Sequence, residues 1–186
     1  MFVIATDDTY APRQYFEAFN LQRIKIHVVA TDNGRCAAAD VLTRMKEVIE
    51  DGRARGDLRD DDQFWLVLDT DHYTQGTHVP AFKSALKEAL EAGIRTAVSK
   101  PCFELWLLLH VREVKEQFEN ADEVAAALQA ELGAYNKTNV PGAQLVPNVR
   151  LAITRARTLD VGVEGGWPQN TGTQVHLLAD QLTTGP

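Results

Sequence analysis

Apolar positions along the chain alternate between two rhythms. Short continuous runs from Phe2 to Ala5, Ile24 to Ala30, Phe64 to Leu68 and Ile94 to Val98 read as buried strands. Between them the spacing turns helical. Pro12 suits the first residue of a helix that puts Tyr15, Phe16 and Phe19 on one face. Thr31 to Arg35 has turn chemistry, and Ala37, Val41, Met45, Val48 and Ile49 mark a helix expected to stop near Gly52. The charged stretch Arg53 to Asp62 reads as a solvated loop. Pro80 opens a further helix through Phe82, Ala85, Leu86 and Leu90, closed by Gly93.

Phe64-Trp-Leu-Val-Leu68 is apolar on both faces, which predicts a central strand of a parallel sheet. Strands alternating with helices of this length predict right-handed βαβ crossovers and an α/β sheet covered on both faces. Ligands of such sheets gather at the carboxyl ends of the strands. After Pro101 the pattern changes: Phe103 to Val111 is a strongly apolar helix, Asp122 to Leu132 an Ala-rich one, and Val149 to Leu159 and Thr173 to Leu182 are helical. No strand is expected there. Gly133 to Pro147 and Asp160 to Gly172, rich in Gly, Pro and Asn, are expected to be long loops. Residues 1–186 are thus read as one domain, with an α/β core over 1–111 and a mostly helical extension over 112–186.

A length of 186 residues with 45% hydrophobic content is enough to bury one core without disulfide or metal staples. Cys36 and Cys102 have neither disulfide-framework nor zinc spacing, so a reducing, cytoplasmic setting is expected. Met1 to Ala5 is apolar but lacks a basic flank and runs into Asp7 and Asp8, unlike a signal peptide. No stretch approaches the roughly 20 apolar residues of a membrane span. The net charge of -7 excludes a broad basic coat for nucleic acid. It leaves room for an enzyme that grips a phosphodiester through a carboxylate-bound metal and a few local cations. Lys100, Lys137, Arg150, Arg155 and Arg157 are candidates for that role, or ordinary surface charges. GxxxxGK[ST], GxGxxG and GxSxG motifs are absent, which argues against nucleotide binding through either glycine motif and against a serine nucleophile elbow.

In Val67-Leu-Asp69-Thr-Asp71 two carboxylates share one side if the strand continues, offering hard oxygen donors to Mg²⁺ or Mn²⁺. The alternative is the start of a solvated turn. Asp7 occupies the equivalent place after the first strand, and neighbouring parallel strands bring it toward Asp69 and Asp71; Asp8 is an adjacent candidate. Three such acids repel one another unless a cation neutralises them. Glu104 opens an otherwise apolar helix, as a ligand, a general base, an orienting group, or an acid stabilised by the helix dipole. His110 reads as structural.

The acidic turn followed by Tyr15-Phe16, the strand ending Asp69-Thr-Asp71, and Ser99-Lys-Pro-Cys-Phe-Glu104-Leu-Trp-Leu-Leu-Leu-His110 resemble the RloB family. Tyr135-Asn-Lys137 is similar to the family's Tyr-x-Lys element, and Gln169-Asn170-Thr-Gly-Thr173 with Val175-His-Leu-Leu to its ending. RloB proteins resemble Toprim domains, in which a Glu after strand one joins an Asp-x-Asp after a later strand. The resemblance implies a Toprim-like, Rossmann-like fold with Asp69 and Asp71 as metal ligands. It also implies a link to restriction and phage-defence loci and to an ABC-type ATPase partner, RloA. The first motif departs from the family: relatives read Glu-Gly-x-x-Thr-Glu where this chain reads Asp7-Asp8-Thr-Tyr-Ala-Pro12. Asp7 falls at the Glu but is one methylene shorter, Pro12 replaces the second acid, and the turn loses a glycine's freedom.

The leading expectation is a Mg²⁺- or Mn²⁺-dependent nuclease of a defence system. In it Asp7, Asp69 and Asp71 hold metal, Glu104 assists catalysis, and Lys100 and Lys137 contact the substrate. The rivals are a non-catalytic module that binds an ATPase or nucleic acid, and a small-molecule phosphotransfer enzyme using the same acids. RNA against DNA, and the oligomeric state, stay open.

Overall fold

The computed structural model describes residues 1–21, 24–28, 37–71, 78–159 and 166–184. The turn expected at Thr31 to Arg35, Cys36, and the first part of the loop expected from Asp160 lie outside them. Strand β1 (Phe2–Thr6), helix α1 (Ala11–Glu17), β2 (Ile24–Val28), α2 (Ala38–Ala54), β3 (Gln63–Asp69), α3 (His78–Glu91) and β4 (Arg95–Lys100) alternate as the periodicity predicts. Then follow α4 (Glu104–Val111), α5 (Ala121–Leu132), the single turn α6 (Gly142–Leu145), a 3-10 turn at Val146–Asn148, α7 (Val149–Leu159), β5 (Gly172–Thr173) and α8 (Val175–Thr184).

The five strands are ordered β2-β1-β3-β4-β5. The first four are mutually parallel and β5 runs antiparallel to β4. β5 is a departure from the helical ending expected after Pro101. Two residues are too few to leave a periodic trace, and the strand is defined by its partners, Ser99 opposite Thr173 and Lys100 opposite Gly172.

Period-two alternation sorts the strand residues between two cores. Phe2, Ile4, Trp65, Val67 and Ala97 meet α1, α4, α5, α7 and α8 on one face. Val3, Ala5, Phe64, Leu66, Leu68 and Val98 meet α2 and α3 on the other. Because α1 and α2 lie on opposite faces, the chain leaves β1 in one direction for β2 and returns past it to β3. The gap between the carboxyl ends of β1 and β3 is therefore a topological switch point, the place where open α/β sheets bind ligands.

One helix boundary and one helix face differ from the pattern. The helix expected to end near Gly52 continues to Ala54, with the left-handed Gly56 (φ 72) beyond it. Gly52 is instead a point of close approach, where a Cβ would lie 2.6 Å from Leu58. On α3 the buried face is Phe82, Ala85, Leu86 and Ala89, and Leu90 points outward at 76% exposure.

Helix α4 is buried along almost its whole length, from Glu104 to His110. Its histidine is structural. His110 Nδ1 lies 2.8 Å from the Trp106 carbonyl and so must donate there, which leaves Nε2 to accept from the Tyr15 hydroxyl at 2.9 Å. Burial pushes the imidazole down to about 4, below its ordinary 6.5. The neutral ring's contribution is complete above pH 6.5 and is lost as pH falls through about 4, because the unfolded chain takes up the proton first. At about 1.4 kcal/mol per unit, the interval from 6.5 to about 4 corresponds to about 3–4 kcal/mol. Melting wild type and His110→Gln between pH 7 and about 4 checks this. The variant is expected to lose less stability on acidification, whatever its starting Tm.

Candidate metal centre

Asp69 ends β3 and keeps the facing of Trp65 and Val67, toward α4. Which of the two acids after β1 joins it follows from register. Thr6 pairs with Val67, so continuing the ladder sets Asp7 beside Leu68 and Asp8 beside Asp69, on the α4 face. The chain turns just there: the Thr6 hydroxyl accepts from the Asp8 amide at 3.1 Å, and Asp8 Oδ1 accepts from the Tyr10 amide at 2.8 Å. Glu104, first residue of α4, approaches from the neighbouring β4 connection.

Asp8, Asp69 and Glu104 each place a carboxylate oxygen within 4.8 Å of the others. All are nearly buried, at 9%, 6% and 3% exposure. Asp69 Oδ1 and Glu104 Oε2 have no hydrogen-bond partner among the described residues. Buried carboxylate oxygens left without partners are costly. Three hard oxygen donors so arranged suit a divalent cation bound through carboxylates and water. Oxygens on one ion at about 2.0–2.6 Å lie no more than about 4–5 Å apart, so the cluster fits with small closure.

The acids singled out by sequence are distributed around this cluster. Asp7 turns its Oδ2 to the Asp69 amide at 3.1 Å, so it braces the end of β3. Asp71 lies in the turn after β3, where its amide and that of Thr70 both donate to the Pro101 carbonyl at 3.1 Å. Glu104 is one of the convergent three, and Asp8 supplies the third carboxylate.

Desolvation, followed by repulsion from Asp7, Glu104, Asp71 and Asp8, raises the Asp69 carboxyl well above the usual range. Desolvation, together with the charges of Asp8 and Asp71, brings Asp7 up to about 7 against the pull of the Asp69 amide. Such a cluster favours a proton or a cation. One cation is built in. Lys137 Nζ lies 2.7 Å from Asp8 Oδ2 and 3.7 Å from Glu104 Oε1. Burial works against its charge, but Glu104 and Asp8 more than offset that and raise its pKa. The contact with Asp8 is an ion pair between a half-exposed ammonium and a buried carboxylate. The Tyr135 hydroxyl donates to Glu104 Oε1 at 3.0 Å, and burial beside that carboxylate raises its pKa, which keeps the proton on the phenol.

Lys100 is oriented differently: its ammonium donates to the Gln169 carbonyl. Arg155 donates to the Leu109 carbonyl at 2.7 Å, and Arg150 and Arg157 pair with Asp180 at 3.7 and 3.2 Å.

The segment carrying Tyr135 and Lys137 is fastened to α1. Gln14 Nε2 donates to the Lys137 carbonyl at 3.2 Å, and Gln14 Oε1 accepts from the Val140 amide at 3.0 Å. Gly142 allows this approach, since a Cβ there would lie 2.6 Å from Ala18 Cβ and 3.1 Å from the Gln14 carbonyl oxygen. Neither atom can rotate away. Gly142→Ala is therefore expected to cost about 1–3 kcal/mol in denaturant melts, the usual range for overpacking.

A family model described as RloB-like protein matches residues 2–182. No curated protein and no solved structure matches the chain.

Proposed function

The chain belongs to the RloB-like protein family, and from that premise we propose that it is a divalent-metal-dependent nuclease of an antiviral defence system. The observation that carries this reading is the buried convergence of Asp8, Asp69 and Glu104 at the sheet's switch point, with unpartnered oxygens on two of them. A Toprim-like role, Mg²⁺ or Mn²⁺ as the ion, and an RloA-like ATPase as partner belong to the same proposal. When bound, the metal supplies Lewis acidity toward a phosphoryl oxygen and a more acidic water.

The protein's own groups divide the remaining work. Asp8, Asp69 and Glu104 present oxygens, and Asp7 fixes the end of β3 through the Asp69 amide. Tyr135 orients Glu104 by donating to one of its oxygens, leaving Oε2 available. Lys137, half-exposed above two buried acids, is the cation placed to meet a phosphate. With a net charge of -7, substrate attraction has to be local.

The test is to incubate purified protein with RNA and with DNA in Mg²⁺, in Mn²⁺ and in EDTA. Metal-dependent cleavage of either polymer is expected. Absence of cleavage together with absence of thermal stabilisation by either ion would reject the reading. The ion pair of Lys137 favours one competing interpretation, a non-catalytic module whose acids are neutralised internally. It predicts no metal-induced rise in Tm.

A further inference from the structure

We infer that Lys137 is an exchangeable cation at this centre, its ammonium holding Asp8 and Glu104 until a divalent ion takes its place. The inference rests on the proposed metal site and adds a control to it.

Three observations carry it. Asp8 has committed Oδ1 to the Tyr10 amide, so the oxygen left for a metal is Oδ2, the atom that Lys137 holds at 2.7 Å. The lysine also stands on the solvent side, its side chain 50% exposed over carboxylates that are 6% and 4% exposed. An ion arriving from solvent meets the ammonium before it meets the acids. Finally, the backbone at Lys137 and just after it is held by both ends of the Gln14 amide, through the Lys137 carbonyl and the Val140 amide, and by the Asn136 side chain accepting from the Thr138 amide at 2.9 Å. Motion is thereby confined to the flexible four-carbon stem, which can swing the ammonium outward without unfolding the segment. Two cations cannot share one carboxylate oxygen at close range without strong repulsion, so occupancy by the metal and by the lysine are opposed.

Amine labelling of the intact protein, mapped to Lys137 by mass spectrometry, measures the exchange directly. Adding Mn²⁺ at concentrations that raise Tm is expected to increase labelling of Lys137 several-fold, and an Asp69→Asn control is expected to show no such change. Calorimetric titration of Lys137→Met is expected to give Mn²⁺ affinity roughly tenfold tighter than wild type, within the usual range for coupled sites. Stabilisation by Mn²⁺ with unchanged Lys137 labelling would overturn the exchange and leave the metal site standing. So would Lys137→Met binding no tighter than wild type. Failure of Mn²⁺ to bind either protein would remove the exchange together with the proposed function.

Discussion

Asp69→Asn is expected to move stability and activity in opposite directions. Asparagine keeps the shape of the side chain but removes one charge from a cluster in which Asp7, Glu104, Asp71 and Asp8 all push against it. The metal-free protein should melt at a higher temperature than wild type once pH exceeds the raised Asp69 value, where wild type carries the full repulsion. Its stability should also depend less on pH. A carboxyl whose folded pKa is raised favours the fold below its unfolded value near 4, and that advantage disappears as pH climbs through the raised value. Removing the group removes the slope. Cleavage should fall by roughly 10²- to 10³-fold, the scale on which one electrostatic stabiliser acts, and stabilisation by Mg²⁺ or Mn²⁺ should vanish. Paired melts and cleavage assays check both halves. A variant that is less stable than wild type without metal would show that Asp69 is held by attraction and is not a repelled donor.

The second large effect is expected in the core. Trp106 is fully buried, with its ring edge-to-face at 6.1 Å from Tyr15 and 4.9 Å from His110. Trp106→Ala should cost about 3–5 kcal/mol, combining lost transfer energy with the cavity left behind. For a chain of this length that lowers Tm by about 6–20 °C. The damage should reach the centre, because Trp106 lies half a turn from Glu104 on α4, and filling the void requires that short helix to shift. Metal affinity measured well below the variant's Tm should therefore weaken too. Leu151→Ala, at a position 53% exposed on α7, is the matched control and should change stability by no more than about 0.5 kcal/mol.

The parallel sheet was readable because its strands are buried on both faces and so appear as uninterrupted apolar runs, Phe2 to Ala5 and Phe64 to Leu68 above all. Asp69 was readable for a related reason, being the first charge after such a run. Choosing between Asp7 and Asp8 was different. Adjacent carboxylates look alike in one dimension, and only the pairing of Thr6 with Val67 brings the second level with Asp69. In the resembled motif that position is a glycine, and the acid falls at Asp7. The ion pairs of Lys137 with Asp8 and Glu104 join residues distant in sequence, and no local pattern encodes which cation meets which acid. Leu90 fails for a simpler reason: it lies one position beyond the stripe formed by Phe82, Ala85, Leu86 and Ala89.

The pairing of β5 with β4 also governs how the sheet ends. Backbone amides and carbonyls along an outer strand are templates onto which a foreign chain can zip. On β4 the last two positions are matched to Gly172 and Thr173, and Val98 is occupied by Gln174, whose amide donates to the Val98 carbonyl at 2.9 Å while its side-chain oxygen accepts from the Val98 amide at 3.2 Å. One glutamine thereby imitates a further strand residue. The short antiparallel piece works as a terminator, closing the half of the edge nearest the acidic centre to strand-by-strand aggregation.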